Sequence, residues 1–248
     1  MTAITISEER GVRYLHLGSP LIQGAMRIAR PCSLELDYTR AMMMPLLFNP
    51  EPRWPRRVLQ IGLGAASITK FLHRHKPHAR ITVVEVAPEV VTAAYQFFNL
   101  PDVSRRLTIE IGDGHAYTSK TARQFELILV DGFDTKDRAG MLDSAPFYAN
   151  CRARLAGNGM MAVNLLGRRR GAVQSIDRIR AAFDGRALAL PPCDAGNIVV
   201  LAVTGAPIRV SFDELRGAAQ KLKVETALNL LPALARLAKS VAAAEVAL

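Results

Sequence analysis

The chain has 248 residues, half of them hydrophobic, 22% charged and 6% aromatic. Its 32 Lys and Arg stand against 22 Asp and Glu, a net charge of +10. This composition excludes a disordered chain, a collagen and a disulfide-stapled miniprotein, while the length suffices for one large domain with a small appendage.

Residues 4–28 alternate short β-type runs with turn residues, and two strands around Gly18-Ser19-Pro20 are expected. Residues 34–48 carry a helical pattern and end in Asn49-Pro50-Glu51-Pro52-Arg53-Trp54-Pro55, a turn-rich connector that reads as a boundary. After it the rhythm changes. Val58-Leu59-Gln60-Ile61 is an apolar run, residues 67–75 have helical periodicity, and Ile81-Thr82-Val83-Val84 is β-branched. Residues 88–98 predict a helix with Pro88 in its first turn, where the missing N–H costs nothing. Strands are predicted at 107–111, at 127–130, at 160–165 after a Gly157-Asn158-Gly159 turn, and at 198–203 as a last, edge strand. Residues 212–248 are Ala- and Leu-rich and helical by pattern.

Apolar strands alternating with helices predict an α/β fold: a Rossmann-like core with a mostly parallel seven-stranded sheet covered on both faces, plus a small N-terminal β-domain. The expected units are residues 1–50, a strand-and-helix domain; 51–206, the nucleoside-binding core; and 207–248, a helical extension. Met1-Thr2-Ala3-Ile4 does not read as a secretory signal. The longest apolar stretch, 187–206, is broken by Pro191, Pro192, Asp194, Gly196 and Asn197, too polar for a spanning helix. A soluble, cytoplasmic protein is expected. Cys32, Cys151 and Cys193 are far apart and odd in number, which suits reduced thiols rather than a disulfide framework or zinc site.

The chemistry gathers at strand ends. Gly62-Leu63-Gly64-Ala65-Ala66 follows the first core strand and opens a helix, where a bare backbone lets a nucleotide-like ligand approach. Glu85 ends the next strand, about twenty residues on, where a carboxylate accepts both ribose hydroxyls. Asp113, in Gly112-Asp113-Gly114, ends the third, within reach of an adenine amine. The third glycine of the dinucleotide fingerprint is missing, with Ile68 near its place, so a single nucleoside such as S-adenosylmethionine fits better than NAD. The fourth strand ends in Val130-Asp131-Gly132-Phe133-Asp134; two carboxylates beside a nucleoside pocket suit a cationic amine better than a phosphate.

In order and spacing these pieces resemble the spermidine synthase-like polyamine aminopropyltransferases from Tyr14 to about Gly205. The carrying motifs include Gln23-Gly24-Ala25-Met26-Arg27, Leu36-Asp37-Tyr38, the glycine loop, Val83-Val84-Glu85-Val86, Gly112-Asp113-Gly114, residues 125–134, Phe147-Tyr148 and Asn158 to Asn164. The resemblance implies a transferase that moves an aminopropyl group from decarboxylated S-adenosylmethionine to an amine, working as a homodimer without a metal. It implies that Gly62, Gly64, Glu85 and Asp113 hold the donor, that Asp131 acts on the attacking amine, and that Gln23, Tyr38 and Asp134 line the amine site. The sequence departs from the family at Ala65, where an acid that grips the donor's amine is usual, at Ala87 and Thr39, and at Cys193, near a usual tyrosine. A methyltransferase using intact S-adenosylmethionine, or a nucleoside-binding protein without turnover, therefore stays open.

Other candidates read as structural. Arg168-Arg169-Arg170 with Arg53, Arg56 and Arg57 lacks interleaved aromatics and reads as a solvated basic face rather than a nucleic-acid footprint. His73, His75 and His78 do not share one helical face, which argues against a metal site. Met42-Met43-Met44 reads as core or interface filler.

Overall fold

Parallel strands covered on both faces need apolar side chains at nearly every position, and the core strands supply them. In the computed structural model, which describes residues 3–19, 21–49, 51–132, 139–167, 171–241 and 244–248, they form one seven-stranded sheet. Ahead of it lie β1 (Ile4–Glu9), β2 (Val12–Leu17) and β3 (Ile22–Arg27), a separate antiparallel sheet with one strand more than expected. The helical pattern of 34–48 resolves into two short helices, α1 (Asp37–Ala41) and α2 (Pro45–Phe48). Pro45 explains the break, because it lacks an N–H and restricts the residue before it. Met42, Met43 and Met44 in that break are fully buried core residues.

The core then runs β4 (Arg57–Ile61), α3 (Ser67–His75), β5 (Arg80–Glu85), α4 (Pro88–Phe97), β6 (Leu107–Ile111), α5 (Gly114–Lys120), β7 (Phe125–Val130), α6 (Ala145–Arg154), β8 (Leu155–Leu166), α7 (Ala172–Ala182), β9 (Ala187–Ala189) and β10 (Asn197–Val203). The sheet order is β6-β5-β4-β7-β8-β10-β9. Pairs from β6 to β8 are parallel, whereas β10 is antiparallel to both β8 and β9. Residues 198–203 are therefore not the edge. The three-residue β9 is, and it is too short to carry a periodic signal. The Gly157-Asn158-Gly159 segment is not a turn before the strand but part of the twelve-residue β8, whose register with β7 shifts between Phe125 and Leu127.

The expected wholly helical C-terminus is corrected as well. After β11 (Arg209–Ser211) come α8 (Phe212–Thr226), opened by a Ser211–Glu214 capping box, and α9 (Leu231–Ser240). The chain then returns as β12 (Glu245–Ala247), which pairs with β11. Leu215, Leu222, Leu234 and Leu237 join the large core cluster.

Among the contacts that fasten the N-terminal sheet to the core, two lie beside the glycine loop. Ser67 Oγ donates to the Ala25 carbonyl at 2.8 Å. Ala65, 2% exposed, packs with Leu15, Met26 and Phe98, and a Cβ on Gly24 would lie 2.6 Å from the Ala65 Cβ.

Candidate active site

The chain leaves β4 through α3 to β5 and then β6, and α5 carries it back to β7 on the other side of β4. Where the strand order reverses in this way, the carboxyl ends of the strands open into a crevice. A cavity of about 850 Å³ lies there, lined by Gln23, Tyr38, Gly62, Gly64, Glu85, Asp113 and Asp131 among others. Every described residue of the expected site thus comes to one cavity. Asp134, like Arg168, Arg169 and Arg170, lies outside the described residues.

On the β5–β6 side the carboxylate of Glu85 is 7% exposed and ties two loops together. Its Oε2 accepts the Leu63 N–H at 2.8 Å and its Oε1 the Ala87 N–H at 2.9 Å. Burial pushes this carboxyl above the usual range, while the N–H groups of Ala87 and Leu63 pull it back. The Val86 N–H is also drawn to this carboxylate, and of its about four acceptor positions at least one is left for a ligand hydroxyl. Asp113 caps α5, its Oδ1 accepting the Ala116 N–H at 2.7 Å. Its second oxygen is the one that remains for a ligand.

The glycine loop between the two halves is left-handed at Gly62 (φ +88°) and Gly64 (φ +52°). It is braced from below by Gln60, the one polar residue in the β4 apolar run. Gln60 Nε2 donates to the Gly62 carbonyl at 2.8 Å, and Thr69 Oγ1 donates to Gln60 Oε1 at 2.8 Å.

On the β7–β8–β10 side the Asp131 carboxylate is held from two directions. Tyr38 Oη donates to Oδ2 at 3.2 Å and Asn164 Nδ2 to Oδ1 at 2.8 Å. Asn197 Nδ2 in turn donates to Asn164 Oδ1 at 3.0 Å, which fixes the orientation of the Asn164 amide. Burial raises the Asp131 carboxyl above its ordinary value; the two donors pull it down, and the charge of Glu85 adds to the rise. The Tyr38 hydroxyl is pushed well up by burial and by Asp131, so it stays protonated as a donor.

Three polar lining side chains are not singled out as site residues by the sequence: Asp37, Asn164 and Asn197. The polar interruption Val163-Asn164 at the end of an apolar strand was the available signal for the second. Ala65 does not line the cavity, being closed off against Gly24. Leu21, Ile22, Val86 and Met141 rim the opening as exposed apolar side chains. The segment after residue 138 is anchored through Asp143, which accepts from Tyr148 Oη at 2.9 Å and Ser175 Oγ at 2.8 Å. Among the described residues no cluster of three His, Cys, Asp or Glu could hold a metal ion. Cys151 and Cys193 are buried and Cys32 half-buried, all three free.

Known proteins match this arrangement. The family model of the spermine/spermidine synthase domain matches residues 35–164. A polyamine aminopropyltransferase of Neisseria meningitidis serogroup A is 35% identical over 219 residues, 88% of this chain and 82% of the relative. Among solved structures, a spermidine synthase in complex with the transition-state analogue AdoDATO superposes with a TM-score of 0.66 at 18% identity, covering 96% of this chain and 85% of the other. Human methyltransferase-like protein 13 in complex with SAH gives a TM-score of 0.69 at 22% identity over 78% of this chain and 93% of the other.

Proposed function

The chain belongs to the spermine/spermidine synthase family and is an enzyme of the polyamine aminopropyltransferase kind, and from that premise we propose that it moves an aminopropyl group from decarboxylated S-adenosylmethionine to a small amine. The observation that carries this reading is the Asp131 carboxylate, buried between Tyr38 and Asn164 in the same cavity as Glu85. A methyl transfer to a neutral acceptor would not need such a group; an amine does. An alkylammonium with a pKa near 10.4 is only about one part in a few thousand neutral at pH 7, so freeing its lone pair costs about 4–5 kcal/mol.

In this reading Glu85 accepts the two ribose hydroxyls and Asp113 the adenine amine. Both come from strand ends on the β5–β6 side, which leaves the sulfonium facing the β7 side. Asp131 first holds the acceptor's ammonium and then takes its proton. The freed nitrogen pair attacks the methylene carbon on sulfur; the new C–N bond forms as the C–S bond breaks, and its electrons return to sulfur to give a neutral thioether nucleoside. Tyr38 and Asn164 keep the carboxylate aimed, Gln23 lines the same cleft, and Asp134 is assigned to amine placement. The same reading takes residues 1–50, 51–206 and 207–248 as N-terminal, catalytic and C-terminal units, and a cytoplasmic homodimer as the working form. No helix among the described residues is long and apolar enough to cross a membrane.

One observation favours a second reading, methyl transfer from intact S-adenosylmethionine. Ala65 occupies the place of the acid that would answer the donor's amine, and it is turned into the packing against Gly24. Incubating the purified protein with an amine and either donor, and weighing the product, separates the two. A mass gain of one aminopropyl group from the decarboxylated donor supports the first reading. Methylation from the intact donor alone overturns it.

A further inference from the structure

The two donors that hold Asp131 reach it from different parts of the chain, and both trace back to one side chain, Asp37. Tyr38 comes from α1, a helix of only five residues. A helix so short has little stability of its own, so its place is set by what ties it down. Arg40 closes one tie, donating to the Leu34 and Glu35 carbonyls at 2.8 Å each. Asp37, directly before Tyr38, makes another: its Oδ2 accepts Arg236 Nη2 of α9 at 2.8 Å. The flanking Leu234 and Leu237 of α9 are buried in the core, which fixes where Arg236 stands.

The second route runs through the loop before β10. Cys193 is buried there, and its thiol is hydrogen-bonded to the Asp37 side chain. Burial, then the charge of Asp37, pushes that thiol up to about 11, so it stays protonated as a donor. The Cys193 N–H donates to the Asn197 carbonyl at 2.8 Å, and the Gly196 N–H to the Cys193 carbonyl at 2.7 Å. Asn197, fixed by this turn, orients the Asn164 amide that donates to Asp131. The contacts close a ring through Asp131, Tyr38, Asp37, Cys193, Asn197 and Asn164.

We infer that Arg236, acting through Asp37, is a positioning residue for the transfer: it sets α1 and the Cys193–Asn197 turn together and so aims both donors at Asp131. This rests on the reading of Asp131 as the proton acceptor. A charge-assisted bond from a guanidinium is stronger and more directional than a neutral one, which suits a tie that must hold a five-residue helix. Among the described residues, the groups that act on the Asp131 carboxyl are Asn164, Tyr38 and Glu85. The Arg236–Asp37 pair therefore works through the donors and not by its own charge. Arg236 lies beyond residues 35–164, the part matched by the family model, so the C-terminal helices become part of the catalytic unit.

The test uses the full chain. Arg236→Ala should lower kcat about ten- to hundredfold, the scale of a group displaced by about 1 Å, with affinity for methylthioadenosine nearly kept. The acid limb of kcat/KM against pH should move up by about one pH unit as the donors slacken, the scale of one lost hydrogen bond. Arg236→Lys should recover part of both effects. Cys193→Ala should show the same signature more weakly, and Cys193→Ser, which keeps a donor to Asp37, should stay near wild type. With both donors removed, in a Tyr38→Phe and Asn164→Leu background, Arg236→Ala should move the limb no further. A limb that stays in place in Arg236→Ala overturns the inference even if kcat falls, because a general loss of packing has no reason to retune one carboxyl. A shift that persists without the donors overturns it as well. Wild-type activity in Asp131→Asn would defeat the parent reading instead. The Asp131 carboxyl carbon resonance, assigned against Asp131→Asn and titrated in wild type and Arg236→Ala, reads the shift without turnover; identical titrations overturn the inference. Should Arg236→Ala not fold, Arg236→Lys and the two Cys193 variants carry the same comparison.

Discussion

Gly62 stands so close to Asp131 that a Cβ on it would lie 2.1 Å from the Asp131 carbonyl oxygen. Its φ of +88° is a further demand that only glycine meets without strain. The donor loop and the residue assigned to the amine are therefore packed backbone to backbone. Gly62→Ala should push Asp131 away from Tyr38 and Asn164. The expected outcome is a protein less stable by about 1–3 kcal/mol, with kcat reduced more than donor affinity. Chemical denaturation and steady-state kinetics check the two parts; full activity in the folded variant would show that the close approach has no bearing on the chemistry.

The proton-accepting role is tested at Asp131 itself. Asp131→Asn preserves shape and removes the base, so kcat should fall on the order of 10²- to 10⁴-fold with donor affinity nearly kept. Wild-type activity should fall on the acid side as Asp131 protonates, and its raised pKa places that limb above the ordinary carboxylate range. Asn164 stabilises the ionised form, so Asn164→Leu should move the limb to still higher pH. A limb that does not move, read from kcat/KM against pH, would remove Asp131 from the proton transfer.

Glu85 has two duties, because the oxygens offered to the ribose also hold the Leu63 and Ala87 amides. Glu85→Gln keeps one acceptor and turns an NH2 toward the other amide. It should weaken any adenosyl ligand by about 1–3 kcal/mol and loosen the glycine loop. Calorimetry with methylthioadenosine measures the first effect, and amide exchange at residues 62–64 the second. Unaltered affinity in a folded protein would mean that the ribose binds elsewhere.

Lys70 gives the fold a pH dependence of its own. It is 1% exposed, its Nζ donating to the Phe98 carbonyl at 2.6 Å, and burial pushes its pKa down to about 7, with the charge of Cys32 opposing. In the unfolded chain it titrates near 10.4. Between those values the unfolded state binds more protons, so this group makes stability rise with pH across the window; below about pH 7 it contributes no slope. Lys70→Met should flatten the rise between pH 7 and 10 relative to wild type in urea titrations. Parallel curves for the two proteins would refute the assignment.

What the sequence determined by itself is the part of the molecule governed by local and near-local pattern. Strands β4 to β8 and helices α3 and α4 were legible because buried parallel strands are continuous apolar runs and their helices keep a 3.6-residue period. That Gly62, Gly64, Glu85 and Asp113 line one cavity was legible because each stands at or just beyond the carboxyl end of a strand, where ligands of such sheets bind. Asp131 was readable for the same reason. Tertiary structure alone decided the rest. β9 is three residues long and β1 borders solvent, so neither carries a strong pattern, and pairing with a neighbouring strand is what makes each a strand. The C-terminal strand β12 exists only because β11 offers an edge. The holders of Asp131, Tyr38 from before the sheet and Asn164 from its fifth strand in chain order, meet because the crossover through α5 brings β7 between β4 and β8. Ala65 reads in sequence as a missing charge; its burial against Gly24 is decided by the docking of a second sheet. Asp37 and Arg236 are the extreme case: each lies in a segment with its own motif or helical pattern, but nothing local pairs them, and the 198 residues between them must fold before the contact exists.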